Sequence, residues 1–228
     1  MSNELEYKKS YFENGMRLDA CYLCNIDDGV EKLFQEISDM KYVPIKFTSI
    51  SNNINTAEIG RTINTVTINW ALNKEPIVQY IGEDTIPIAD RSVILSGLSI
   101  TNDTSFLIKV MDERKLVVSA STGISFSNGI YYGAIPNGAD IDSNTLLTLD
   151  KKLQKTKSIT FTATASNNQR VAYALPSRYG TPKFNIGGFD YEWDKIGTIS
   201  FTNIFGYTED YDVWASNINV GTITVKVS

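Results

Sequence analysis

Beyond Pro44 the chain alternates apolar and polar residues with a period of two, and that pattern confines it to strands that bury one face. Val66, Ile68, Trp70 and Leu72 interleave with Thr65, Thr67, Asn69 and Ala71, and Ile159, Phe161, Ala163 and Ala165 interleave with Thr160, Thr162 and Thr164. Shorter versions are Ile199 and Phe201, then Tyr211, Val213 and Ala215, then Ile223, Val225 and Val227. Turn residues separate the runs. Asn128 and Gly129, between Ile124, Phe126 and Ile130, Tyr131, predict a hairpin because both tolerate positive φ. Asn137-Gly138 and Gly187-Gly188 predict further turns. Many short strands with no second convincing helix predict a mainly β chain of antiparallel sandwiches.

The stretch before Pro44 has another period. Leu23, Ile26, Val30, Leu33, Ile37 and Met40 recur at intervals of three and four, the seam of a helix that packs against copies of itself. Phe34 widens the stripe, and a helix lying on its own β domain is the alternative reading. Asp19 suits an N-cap, and Asp27 and Asp28 offer a second start. Gly29 is therefore either a costly interior glycine or a break between two short helices. Proline ends the helical segment. The expected organisation is an N-terminal attachment and oligomerisation helix over 1–43, a β-sandwich over 44–121 and a second β domain over 122–228.

Charge and composition narrow the function. The net charge is −5, and Lys and Arg are scattered singly or in pairs such as Lys8-Lys9 and Lys151-Lys152, with no stripe to follow a phosphate backbone. No nucleic-acid partner is expected. No apolar run reaches bilayer length, and the first residues lack the apolar centre of a signal peptide, so no membrane insertion is expected. Cys21 and Cys24 are the only cysteines, in keeping with synthesis in a reducing cytoplasm. A lone C-x-x-C supplies half of a zinc site, and the chain has no histidine to complete it. The same absence removes the commonest general base and every Ser-His or Cys-His nucleophile. No metal, cofactor or enzymatic activity is expected.

Three weaker candidates remain. Asp190, Glu192 and Asp194, or Asp140 and Asp142, supply the carboxylate pairs a glycosidase needs, but acids alternating along a strand ordinarily form a solvated face. Asp140, Asp142 and Asn144 resemble the start of a calcium loop, yet Thr145 stands where glycine is required. Aromatics crowd the last forty residues, and Trp193, Tyr207 and Trp214 are candidates for stacking on a sugar if exposed. Parity along the strand places Trp214 opposite Tyr211 and Val213.

The stretch from Asn14 to Val30 resembles a segment near the N-terminus of bacteriophage tail-fibre and baseplate proteins, reading roughly D-G-x-x-[LI]-T-A-x-x-L-N-x-[IM]-E-x-G-[IV]. Leu18, Ala20, Leu23, Ile26, Asp28, Gly29 and Val30 fit it, Asp19 and Asp27 are conservative replacements, and Cys24 departs from it. Glu58 to Gly60 followed by Ile63 to Lys74 resembles an immunoglobulin-like module of phage structural proteins, and the stretches from Ile124 to Gly133 and Tyr173 to Phe189 resemble their C-terminal parts. The resemblance implies a virion structural protein of tail, baseplate or fibre, made and assembled in the host cytoplasm. It implies a homo-oligomer, a trimer in such proteins, joined to other virion proteins through the N-terminal helix. A receptor-binding module for a host-surface glycan or protein is the alternative.

Overall fold

The computed structural model describes residues 20–217 and 221–228, with side chains from residue 25 onward. Asp19, Lys8-Lys9 and the Asn14 to Asp19 part of the resemblance lie outside these residues, as do the side chains of Cys21, Leu23 and Cys24. The chain divides into two compact units, one ending at Pro44 and one running from Ile45 to Ser228.

In the first unit α1 (Ala20–Lys41) is one uninterrupted helix that continues through Gly29. Lys41 in its last turn complements the negative end of the helix dipole. On one side Gln35 Nε2 donates to Asp39 Oδ1 across one turn at 3.0 Å.

The second unit is mainly β. Its elements are β1 (Phe47–Asn52), β2 (Thr56–Glu58), β3 (Ile63–Leu72), β4 (Val78–Ile81), β5 (Asp84–Ile86), β6 (Ser92–Ile100), β7 (Thr104–Met111) and β8 (Val117–Pro136). A short α2 (Ser143–Leu147) is followed by β9 (Asp150–Gln154), β10 (Thr160–Thr164), β11 (Gln169–Pro176), β12 (Phe184–Ile186), β13 (Phe189–Tyr191), β14 (Trp193–Thr202), β15 (Thr208–Ser216) and β16 (Thr222–Val227). Three sheets result: β1-β3-β6, β10-β16-β12-β13, and a nine-stranded sheet of order β14-β15-β11-β8-β7-β4-β5 to which β2 and β9 add along β8. Among the described residues every strand pairing is antiparallel except β2 with β8.

The alternation in the sequence becomes burial. Val66, Ile68 and Trp70 of β3 face Ile108 and Val110 of β7 and Ile124 and Phe126 of β8, making a first core. Phe161 and Ala163 of β10 and Val225 and Val227 of β16 face Val171, Tyr173 and Leu175 of β11, making a second. Each buried Val, Ile or Phe side chain contributes about 1.5–3 kcal/mol. On the other side of the large sheet, Tyr131, Ala174, Phe201, Tyr211 and Val213 pack with Leu146 of α2. β11 and β15 are thus covered on both faces, so Trp214, on the parity opposite Val213, packs on the second core instead of facing outward.

Two expectations change. The predicted Asn128-Gly129 hairpin does not form: both residues lie in mid-strand on β8, opposite Gln154 and Leu153 of β9. A glycine is needed there for close approach, since a Cβ on Gly129 would lie 2.8 Å from a Tyr131 ring carbon and 2.9 Å from Lys151 Cδ. The division near Ser121 falls inside β8, which runs unbroken from the first core to the second. Its beginning pairs with β7 and its end with β11. The hydrophobic cores do separate along the chain, but one shared strand joins them. The turn at Gly187-Gly188 does link β12 to β13 as a hairpin.

Candidate functional site

The apolar seam of α1 forms a ridge. A residue every three or four positions returns to one side of an α-helix, so Ile26, Val30, Leu33, Ile37 and Met40 align over about 21 Å at 1.5 Å per residue. Exposure is 49% at Ile26, 45% at Val30, 56% at Leu33, 68% at Phe34 and 79% at Met40, while Ile37 is half-buried. Single exposed apolar residues are ordinary on a protein surface, whereas a contiguous row on one helix is not.

The aromatic candidates behave differently. Trp193 is buried and its ring lies flat on Phe184, with centroids 4.0 Å apart and planes within 8°. Trp214 is half-buried and tilts against the same phenylalanine at 6.3 Å. Trp193 presents no stacking face and is core packing, while Trp214 is partly buried against the same core. Among the described residues, neither indole N–H has a hydrogen-bond partner. Tyr207 is half-buried beside Gly60, where a Cβ would come within 2.7 Å of its own. The strongly exposed aromatic in this region is Phe189, 71% open.

Three of the five candidate acids are occupied in structural roles. Asp142 caps α2, accepting from the Thr145 N–H at 2.7 Å and from its hydroxyl at 2.8 Å, and these bonds hold its carboxyl below the usual range. The apparent calcium-loop start is a helix cap. Asp194 pairs with Arg170 at 2.7 Å, and Asp190 accepts from Asn185 at 2.8 Å. No group of three or more potential ligands that could hold a metal occurs among the described residues.

A polar cluster that sequence reading missed lies where the two cores meet. Glu58 of β2 is buried; its carboxylate pairs with Lys151 of β9 at 2.7 Å and accepts from the Tyr131 hydroxyl at 3.1 Å. Burial, with the Glu58 charge adding to it, drives the Tyr131 phenol far above its ordinary value. One strand further, Asn128 Nδ2 donates to Glu209 and its carbonyl accepts from Arg178, which also pairs with Glu209. Asn203 Nδ2 reaches the Ile59 carbonyl at 2.7 Å. The only hint in the sequence was Glu58 itself, an acid beside an apolar run. The cluster is filled by its own partners and ties the halves together.

No described helix is long and apolar enough to cross a membrane. Compared with known protein families and with curated proteins, the chain matches none.

Proposed function

We propose that this protein is a structural component of a bacteriophage particle, in its tail, baseplate or fibre, and that it assembles as an oligomer through α1. The observation that carries the assembly role is the exposed ridge from Ile26 to Met40. The phage assignment is supported by the resemblance of Asn14 to Val30, and of Glu58 to Lys74, to virion proteins. In this reading the first core belongs to an immunoglobulin-like module, and the β unit acts by contact with neighbouring virion proteins, without catalysis.

Sedimentation of the full chain tests the assembly role. The expected result is a discrete oligomer at micromolar concentration, with the piece from Ile45 to Ser228 running as a monomer. A full chain that stays monomeric overturns it. The phage assignment is tested by mass spectrometry of purified particles, in which this chain should be a stoichiometric component.

A further inference from the structure

Gly29 stands well inside α1, where glycine costs about 1 kcal/mol relative to alanine. Nothing described within the chain requires it. Its backbone is helical, and a Cβ added there would meet no described atom within 4 Å. Phe34, five residues on, leaves 68% of itself in the open, beside the ridge and not in it. Among the described residues, a glycine that no close approach requires and a ring left mostly in the open lie on the flanks of one seam.

The heptad relates them. With Val30 and Ile37 at position a and Ile26, Leu33 and Met40 at position d, Gly29 and Glu36 fall at g, and Phe34 and Lys41 at e. In parallel helices in register, the g residue of one helix flanks the e residue five positions later on its neighbour. We infer that the ridge is covered by α1 of a second copy in parallel register, Phe34 of one helix seated over Gly29 of the next. The same rule sets Glu36 of one copy against Lys41 of the other, so the charges agree with the packing. An antiparallel pairing through the same seam instead brings Phe34 beside Asp27 and Glu36 beside Gly29, which satisfies neither. The inference rests on the proposed assembly role and adds the direction, register and flanking residues.

Reciprocal exchange in the full chain tests it by sedimentation. Gly29→Phe alone, which sets two rings against each other, and Phe34→Gly alone, which leaves the hollow over Gly29 empty, are each expected to raise the dissociation constant by about tenfold. The double variant Gly29→Phe with Phe34→Gly re-forms the ring-over-glycine packing with the two positions exchanged, and recovers most of the association. Glu36→Lys weakens association, and Glu36→Lys with Lys41→Glu recovers it. The urea transition of the β unit, followed by tryptophan fluorescence, serves as the folding control. A monomeric wild-type chain overturns the assembly role and the pairing together. A wild-type oligomer that Gly29→Phe does not weaken, or that neither exchange recovers, leaves the assembly role standing and overturns the parallel pairing.

Discussion

Replacing Lys151 with methionine should destabilise the unit Ile45–Ser228 by about 2–3 kcal/mol. The Glu58 side chain is 5% exposed, and without Lys151 its charge keeps, among the described residues, only the Tyr131 hydroxyl at 3.1 Å. Removing one partner of a fully buried pair costs about 3–5 kcal/mol. Lys151 is itself 31% exposed, so water reaches the pair and the lower figure applies. Glu58→Gln added to Lys151→Met removes the orphaned charge, keeps an acceptor for Tyr131, and should return stability to within about 1 kcal/mol of the wild type. The assay is urea unfolding read by tryptophan fluorescence. Trp70 lies in the first core, and Trp193 and Trp214 in and on the second, so variants that keep only one set report each half separately. Because β8 runs through both cores, the two probes should show the same midpoint and the same shift. A loss below about 0.5 kcal/mol, or a shift at only one probe, would refute the claim that this cluster couples the halves.

Trp193→Ala should cost about 3–5 kcal/mol in the same assay, as expected for emptying a buried aromatic site, whereas Trp193→Phe should cost far less because no described group accepts from its indole N–H. Asp212 supplies a pH test. Burial opposes its ionisation, but hydrogen bonds from Lys195, Ser177 and Thr198 outweigh it and hold the carboxyl below its ordinary value. A depressed folded value stabilises the protein above the unfolded pKa of about 3.9, and this contribution fades as pH falls through the folded value. Asp212→Asn should therefore lower the urea midpoint at pH 7, and the gap to the wild type should close as pH is taken below about 4.

How much of this was legible depended on whether a residue's role was set by its neighbours in sequence. Ile159, Phe161 and Ala163 could be read as one buried face because the period of a strand is a local property, and all three are buried. Asn128-Gly129 misled because turn preference is also local, while the demand that overrode it came from Lys151 across the sheet and from the Tyr131 ring. Trp214 is a stacking candidate only if exposed, and alternation along its strand assumes a sheet with one wet face. The second face of β15 is covered, and only the three-dimensional order of strands reveals it. Glu58 was invisible as a junction for the same reason: its partner lies 93 residues away.

That separation has a consequence for synthesis. β2 has no partner until β8 emerges, and the Glu58 carboxylate has no counter-ion until β9 follows it. At about 5–20 residues per second, a ribosome leaves Glu58 waiting roughly 5–20 s for Lys151. The Ile59 carbonyl waits longer for Asn203, 144 residues downstream. Nascent chains arrested before Asp150 should consequently be protease-sensitive throughout, with resistance appearing only once the downstream strands have cleared the exit tunnel. The β unit is thus completed late in translation, long after α1 has been made.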